Sequence, residues 1–345
     1  LAMLRHLQNA VQTAAEHPNN HTQNLTNPVN TCSTPCIVSA RGVSGTSTPA
    51  GRQHNHNDGR GGHARRLRAD PGHQAGDGPN QNSTISIVSL NVTALEANWA
   101  TCYQLQQRYQ ASIVALQETR HSRIALPTYK RHAASPECGS YHSIWGKPTE
   151  PGLAPRKGRN GGTDHMVTTA AAKQGGVAIL ASQAMVNTTD DDASVTALRN
   201  TSRWEEAFCP LPLPTGSPSR RRRRRTNGID VASLYGHAGG DSTALFKRAA
   251  QAAARVGNAP YFLCMDANAD IRGSPFLLQM TQEGWHNVAQ GSPDEHAATY
   301  ATQKDWDRIT PVNGATRIDY VFANTAGQHL VQSFRLLRDL PAKQH

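Results

Sequence analysis

Residues 84–119 read TISIVSLNVTALEANWATCYQLQQRYQASIVALQET, and this stretch decides the fold of the chain. Its two apolar runs, ISIVSLNV and SIVALQET, are typical of buried strands. Between them, apolar side chains recur every three or four residues, at Trp99, Cys102, Leu105 and Tyr109, which predicts a helix with one apolar face. A strand–helix–strand unit predicts an α/β fold in which helices cover a sheet.

The same pattern, an apolar run that ends in polar residues, recurs further along as DVASLYG, YFLCMDAN and TRIDYVFAN. Burying a carboxylate at the end of an apolar strand is costly unless it is paired or binds a metal. Several such side chains on separate strands therefore predict one shared polar site. Its candidate members are Asn91, Glu118, Tyr235, Asp266, Asn268 and Asp319.

The remaining elements are predicted from their own patterns. The clearest helix runs from about Ser242 to Val256, since polar residues cap its start and Gly257 follows its end. Residues 141–147 are predicted as a strand, 148–174 as a loop, and 195–213 as a strand or hairpin. We expect TRIDYVFAN and HLVQSFRLL to form a terminal hairpin.

The N-terminal quarter differs in composition from the rest. No Phe, Trp or Tyr occurs before Trp99, and hydrophobic residues make up only 37% of the chain. We therefore predict a low-complexity, disordered leader over residues 1–83 and one folded domain over residues 84–345.

The chain carries a net charge of +10, which favours a polyanionic partner such as a nucleic acid. Six of the positive charges form one run, Arg220 to Arg225, inside a basic insertion over about residues 214–227. We interpret the run as a solvated surface insertion, with a nucleic-acid contact or a nuclear-import signal as the alternative.

The cysteines indicate a reducing compartment. There are six, and they follow neither a disulfide nor a zinc framework. The sequence shows no stretch of 18 apolar residues and no secretory signal at its start. We expect an intracellular location, with the nucleus as one possible compartment, no membrane partner, and no obligate protein partner.

These segments together resemble the endonuclease/exonuclease/phosphatase superfamily, which is DNase I-like and includes the endonuclease domains of non-LTR retrotransposons. The resemblance rests on six motifs in a fixed order. They are Leu90-Asn91-Val92, Gln117-Glu118-Thr119, Gly175 to Leu180 (GGVAIL) with Tyr235-Gly236, Asp266-Ala267-Asn268, and Arg317-Ile318-Asp319-Tyr320. It implies a four-layered α/β sandwich of two mixed sheets packed face to face, with helices outside.

The resemblance also implies roles for these residues. Glu118 would be the principal ligand of a Mg²⁺ or Mn²⁺ ion, since hard cations prefer carboxylate oxygen. Asn91 would help to hold that metal or would orient Asp266. Asp266 would activate or position the attacking water, while Asn268 and Tyr235 would donate hydrogen bonds to the phosphate. Asp266 and Asn268 alternate at a strand end, so both are expected to face one side.

Asp319 would pair with His345 and fix its tautomer. The family ends its site with Ser-Asp-His, whereas this chain reads Lys343-Gln344-His345, and we expect the final strand of the family fold to be truncated. Thr93 stands where many nucleases of the family carry Asp, and Met265 where Gly is usual.

The implied function is metal-dependent hydrolysis of phosphodiesters in nucleic acid, most similar to retrotransposon endonucleases acting on DNA. One alternative is a phosphatase or phospholipase of the same fold, because the substrate loops differ between such enzymes. A second is a decayed remnant that binds nucleic acid without cutting it, which the change to Gln344 favours.

Overall fold

The computed structural model describes residues 31–41, 84–149, 153–156, 165–168, 175–187, 193–211, 228–238, 240–302 and 317–338. Two six-stranded mixed sheets pack face to face, and helices cover both outer faces. The predicted four-layered α/β sandwich is confirmed.

The helices and strands have the following bounds. The strands are β1 Thr31–Ser33, β2 Cys36–Arg41, β3 Thr84–Asn91, β4 Ile113–Gln117, β5 His142–Trp145, β6 Leu153–Arg156, β7 His165–Thr168, β8 Val177–Ala181, β9 Val186–Asn187, β10 Trp204–Pro210, β11 Gly228–Tyr235, β12 Tyr261–Asp266, β13 Trp285–Asn287, β14 Tyr300–Thr302, β15 Asp319–Asn324 and β16 Val331–Leu336. The helices are α1 Leu95–Tyr109, α2 Leu126–Ala133, α3 Ala193–Arg199, α4 Thr243–Ala254, α5 Pro275–Gln282 and α6 Thr325–Gln328.

Each sheet contains one parallel pair of strands in an otherwise antiparallel arrangement. Sheet I has the order β16-β2-β3-β4-β8-β5, with β3 and β4 parallel. Sheet II has the order β13-β15-β12-β11-β10-β9, with β11 and β12 parallel. Parallel neighbours need a crossover connection, and the helices α1 and α4 provide it. The two parallel pairs therefore end at the same edge of the sandwich as the predicted polar residues.

Side chains alternate between the inner and outer faces of each sheet, as strand geometry requires. On β12, Phe262 and Cys264 pack into the core between the sheets, whereas Leu263 and Met265 pack against the outer helices. The apolar face predicted for α1 covers the outer face of sheet I. Buried apolar side chains between the two sheets, and between each sheet and its helices, thus hold the four layers together.

The predicted leader is wrong for residues 31–41. Strand β2 lies between β16 and β3, second from one edge of sheet I, with Cys36, Val38 and Ala40 in the core. A six-residue strand surrounded by polar sequence leaves little trace in the average composition, but it can bury every second side chain. The rest of the leader lies outside the described residues.

Two further local predictions are wrong. Residues 193–199 form helix α3 rather than the start of a strand, because Val195 and Leu198, three residues apart, pack on the outer face of sheet II. The segment predicted as the loop 148–174 contains the antiparallel pair β6 and β7.

The predicted terminal hairpin does not form. Strand β15 pairs with β12 and β13 in sheet II, whereas β16 pairs with β2 in sheet I. The short helix α6 carries the chain from one sheet to the other. Two apolar strands with a short connection can join opposite sheets as well as pair side by side. Here both strands bury side chains in the core between the sheets, one from each sheet.

The remaining expectations about compartment are tested only in part. Within the described ranges, no helix has both the length and the apolar character to cross a membrane. Cys36, Cys102, Cys138, Cys209 and Cys264 are buried free thiols. The intracellular location stays a prediction, and the basic insertion at about 214–227 lies outside the described residues.

Candidate active site

The predicted polar residues meet where the parallel pairs of both sheets end. In sheet II, Tyr235 lies opposite Asp266, and Asp266 lies opposite Asp319. In sheet I, Asn91 is the last residue of β3 and Glu118 follows the end of β4. A hydrogen bond joins the two sheets at this edge, because Asn91 Nδ2 donates to Asp266 Oδ2 at 2.5 Å.

The orientation of the Asn91 amide is set by Thr93. Asn91 Oδ1 accepts from the Thr93 backbone N–H at 2.8 Å and from the Thr93 hydroxyl at 3.2 Å. The amide nitrogen must therefore point toward Asp266. Of the two roles expected for Asn91, this geometry matches the one in which it orients Asp266.

Asp266 is held by one hydrogen bond on each carboxylate oxygen. Oδ1 accepts from the Asn268 backbone N–H at 2.9 Å, and Oδ2 accepts from Asn91. The residue is only 1% exposed. Burial raises the pKa of Asp266 well above its usual range, and the carboxylates of Asp319 and Glu118 raise it further. The two hydrogen bonds fix the side chain in one orientation.

The turn after Asp266 brings Asn268 to the same side by a left-handed conformation rather than by strand alternation. Strand β12 ends at Asp266, and Asn268 has a φ of 51°. Its Nδ2 donates to the Gly236 carbonyl at 3.1 Å, while the Gly236 N–H donates to the Asp266 carbonyl at 2.7 Å. A Cβ at Gly236 would lie 2.3 Å from the Ala267 carbonyl oxygen, so only glycine fits there.

Glu118 lies in a constrained loop of its own. Its φ is 54°, and the residue is 6% exposed. The backbone is held on both sides: the Ala94 N–H donates to the Glu118 carbonyl at 2.9 Å, and the Thr119 N–H donates to the Gly176 carbonyl at 3.0 Å. Nε and Nη2 of Arg120 both donate to Glu118 Oε1. The carboxylate is therefore presented with a cation beside it.

The glycine pair of the GGVAIL motif makes room for this loop. Gly176 has a φ of 82°, and a Cβ there would lie 2.5 Å from Thr119 Oγ1. The N–H of Arg120 donates to the Gly175 carbonyl at 3.0 Å. The motif therefore supports the position of Glu118 through the backbone.

His121 connects the Glu118 loop to Gly146, the residue that follows β5. Its Nδ1 accepts from the Thr119 hydroxyl at 2.7 Å, and its Nε2 donates to the Gly146 carbonyl at 3.0 Å. Burial lowers the pKa of His121 below the usual value for histidine. Both ring nitrogens are used to hold the loop.

The sequence patterns missed Arg203, which lies at the same edge. Its guanidinium carbon is 4.9 Å from the centre of the Tyr235 ring, and Nη1 donates to the Gly236 carbonyl at 2.7 Å. Burial lowers the pKa of Arg203, but Tyr235, Glu118 and Asp266 oppose that shift. Only its position one residue before β10 could have drawn attention to it.

The Tyr235 side chain is protonated in this environment. It is 2% exposed, and burial raises the pKa of its hydroxyl far above the usual range, an effect strengthened by the charges of Glu118 and Asp266. The hydroxyl therefore keeps its proton at any physiological pH.

Gln117 and Ser233 connect the two sheets directly below the site. Gln117 Nε2 donates to Ser233 Oγ at 3.1 Å, and the Ser233 hydroxyl donates to the Leu116 carbonyl at 2.8 Å. Gln117 thus has a structural role, since it links the two sheets. The strand pattern alone could not distinguish this role from a role in the site.

The C-terminal part of the predicted site is not seen. Asp319 begins β15, and its backbone N–H donates to Thr299 Oγ1 at 3.0 Å. Its expected partner His345 lies outside the described residues, as does Gln344. Their pairing stays a prediction.

The donor set fits a hard cation held by few protein ligands. In the part of the chain that the structure describes, no three His, Cys, Asp or Glu side chains are grouped closely enough to hold a metal ion. Mg²⁺, however, is commonly bound through one or two carboxylates together with water and substrate phosphate. Glu118 can be such a ligand, and the electrostatic crowding of Glu118, Asp266 and Asp319 would be relieved by a cation.

The fold and the sequence place the chain in one protein family. The model of the Endonuclease/Exonuclease/phosphatase family matches residues 100–339, more than half of the chain. The protein belongs to that family, whose members are hydrolytic nucleases and phosphodiesterases that generally depend on a divalent metal.

Among solved structures, the chain is similar to the endonuclease domain of TRAS1, a telomere-specific non-LTR retrotransposon, with 14% identity, a TM-score of 0.45, and coverage of 75% of this chain and 93% of that one. It is also similar to the Xenopus laevis APE2 catalytic domain, with 14% identity, a TM-score of 0.45, and coverage of 71% and 83%. For an AP endonuclease from Archaeoglobus fulgidus the identity is 12%, the TM-score 0.42, and the coverage 69% and 86%. No curated protein matches the sequence significantly.

Proposed function

We propose that this protein is a divalent-metal-dependent phosphodiesterase that cuts nucleic acid, an endonuclease of the retrotransposon type acting on DNA. The observation that carries the proposal is the hydrogen bond between Asn91 and Asp266, which joins the ends of two parallel strand pairs. Glu118 and Tyr235 lie at the same junction. Membership of a family of nucleases and phosphodiesterases supports the reaction class.

Glu118 would hold a Mg²⁺ or Mn²⁺ ion, and Asn91 would orient the neighbouring Asp266. A bound ion supplies stabilisation of the negative charge that develops on the phosphoryl oxygens. The Arg120 guanidinium contacts Glu118 Oε1 and would have to move away before a metal ion could bind that oxygen.

The other residues act on water and phosphate. Asp266, fixed by a hydrogen bond on each oxygen, would position the attacking water and is one candidate for the base; His345, paired with Asp319, is the other. Tyr235 and Asn268 would donate to the non-bridging phosphate oxygens. Arg203 would add positive charge beside Tyr235.

The substrate is proposed from charge. A net charge of +10 favours a polyanion over a lipid headgroup or a small inositol phosphate. The non-cutting remnant is the second candidate, and Gln344 in place of the family Asp is the observation that favours it.

Nicking of supercoiled plasmid in Mg²⁺ or Mn²⁺, with EDTA as the blank, tests the proposal. We expect Glu118→Gln and Asp266→Asn each to lower the rate by about 10² to 10⁴-fold. The matched control is Glu283→Gln, which changes an exposed acid on the outer surface near the end of α5.

The outcomes separate the alternatives. No metal-dependent nicking, or nicking that both site variants retain, would contradict the endonuclease proposal. Hydrolysis of an inositol phosphate or sphingomyelin with intact plasmid would favour the phosphatase or phospholipase. DNA binding without turnover would favour the remnant.

A further inference from the structure

Residues 31–41, here called the N-terminal arm, lie apart from the rest of the domain in sequence. Residues 42–83 separate them from β3, and the family model matches residues 100–339 and not the arm. In the structure the arm is nevertheless part of sheet I, because β2 pairs with β16 on one side and with β3 on the other. Among the described strands, β2 is the one that joins β16 to this sheet.

The first residues of the arm lie beside Thr299. Strand β1 pairs with β14 in antiparallel orientation, and the Thr34 N–H, directly after β1, donates to the Thr299 carbonyl at 2.9 Å. Both residues are buried. A hydrogen bond between buried backbone groups is costly to leave unmade, so this contact holds the backbone of Thr299 in place.

Thr299 in turn holds the start of β15, where Asp319 lies. Its Oγ1 accepts from the Ile318 N–H at 3.1 Å and from the Asp319 N–H at 3.0 Å. Asp319 is 3% exposed and lies opposite Asp266 in sheet II. The arm, Thr299 and Asp319 are therefore connected by a series of hydrogen bonds that ends at the candidate site.

A second observation places the arm close to the same carboxylate. Cys36, the first residue of β2, is buried in the core between the sheets. Burial raises the pKa of its thiol to about 12, while Arg317 opposes the rise and the Asp319 charge adds to it. Cys36 thus lies within electrostatic reach of Asp319.

We propose that the N-terminal arm positions Asp319 in the active site, and that the Thr34 backbone N–H and the Thr299 hydroxyl transmit its placement. The proposal rests on the proposed function, since it adds positioning residues to the same site. Thr34 and Thr299 act through the backbone of Asp319 and not on the phosphate. Groups that orient a site residue in this way commonly affect the rate nearly as strongly as the residue itself.

The arm also contributes to stability, and the two roles have different signatures. Val38 and Ala40 of β2 are buried in the core, so a cavity at either position lowers the free energy of unfolding. A strand that only stabilises the fold would leave kcat of the folded protein unchanged when it is weakened. A positioning strand lowers kcat when its connection to Asp319 is interrupted.

Plasmid nicking by the full chain, measured well below the unfolding midpoint, tests the proposal. Thr34→Pro removes the N–H that donates to Thr299, and Thr299→Val removes the hydroxyl that accepts from β15. We expect kcat to fall about tenfold in each variant, with KM within about twofold of wild type. Thr34→Val and Thr299→Ser keep the two groups and should restore kcat. The matched control is Val38→Ala, which weakens the arm without touching Thr299 and should keep kcat.

Hydrogen exchange followed by mass spectrometry gives a readout that does not depend on turnover. In a peptide that contains Ile318 and Asp319, two amides should exchange about tenfold faster in Thr34→Pro and Thr299→Val than in wild type. A peptide from β11 is the internal reference, and it should not change. In Val38→Ala, both peptides should change alike.

Equal kcat values for Thr34→Pro and Val38→Ala, or unchanged exchange at the start of β15, would overturn the proposal. If Thr34→Pro does not fold, the comparison of Thr299→Val with Thr299→Ser decides. If wild type cuts plasmid and the Thr299→Val variant cuts it at the same kcat, the proposed function stands and this inference falls. If wild type cuts nothing, the endonuclease falls, and the exchange result alone decides whether the arm positions Asp319.

Discussion

The two strand–helix–strand units at the site have the same topology but different surroundings. The first unit, β3–α1–β4, presents Glu118 from a loop with a φ of 54°, beside the exposed Arg120. The second unit, β11–α4–β12, presents Asp266 at 1% exposure, with both carboxylate oxygens bonded to protein groups. Equivalent positions in two similar units thus hold one carboxylate open to cations and the other rigid.

This difference suggests a division of labour. A carboxylate beside an exchangeable cation suits metal binding, because only one oxygen is occupied by Arg120. A carboxylate bonded on both sides suits the positioning of a water molecule. The two units contact each other through Asn91 and, below it, through Gln117 and Ser233. Substitutions in either unit can therefore test whether the two carboxylates have different roles.

The largest expected effect comes from crowding the turn of the second unit. Gly236→Ala places a Cβ 2.3 Å from the Ala267 carbonyl oxygen, so the turn must shift. We expect a loss of about 3 kcal/mol in the free energy of unfolding, measured by denaturant titration. Gly273→Ala is the matched control, because a Cβ at Gly273 meets nothing within 4 Å. Equal stabilities of the two variants would show that the turn is not closely packed.

Removing the bond between the units should come next. Asn91→Ala leaves the Asp266 carboxylate with the Asn268 N–H as its remaining bond described above. We expect kcat for plasmid nicking to fall about 10- to 100-fold, the usual cost of losing a group that orients a site residue. Asn258→Ala, at an exposed position in the turn after α4, is the control. A rate close to wild type would argue that Asp266 needs no help from the first unit.

The first unit should show its own pH dependence. Burial lowers the pKa of His121 in the folded state, so below the ordinary histidine pKa of about 6.5 the unfolded chain binds a proton that the folded chain does not. The free energy of unfolding should therefore fall as the pH drops from about 7 to about 5. Denaturant midpoints across this range should show a weaker dependence for His121→Gln than for wild type. The same change at exposed His142 should leave the dependence intact.

The smallest expected effect concerns the cation beside Glu118. Arg120→Ala removes the guanidinium that contacts Oε1, so a divalent ion would meet less competition. We expect about a two- to fivefold tighter Kd for Mg²⁺ or Mn²⁺, measured by thermal shift against metal concentration. Arg123→Ala removes the same charge without that contact and serves as the control. Identical shifts in both variants would show a general charge effect.

Much of the fold could be predicted from the sequence, because it depends on local periodicity. The strands around Asn91, Glu118, Tyr235 and Asp266 each bury an apolar run, and α1 has one apolar face. The strand at 36–41 was missed because six residues in a polar context carry a weak signal. The terminal hairpin was wrong because periodicity does not tell which sheet a strand joins.

The candidate site could be predicted as a set of residue types but not as a set of contacts. The roles of Glu118, Asp266, Asn268 and Asp319 stay predictions until variants are tested. Arg203 escaped detection because an arginine before a strand has no distinctive spacing, and its importance comes from the Tyr235 ring beside it. Asn91 is expected either to hold a metal or to orient Asp266. The Thr93 contacts to its Oδ1 favour the second role, which stays a prediction.

The sequence by itself determined that this is an α/β protein with polar residues at the ends of its apolar strands, since alternation and burial are local properties. The tertiary structure alone decided that strand ends from two different sheets meet, because Asn91 and Asp266 are 175 residues apart in the chain. It also decided which carboxylate is open to a cation and which is rigidly bonded. Those properties depend on loop backbone geometry and on neighbours that are distant in sequence.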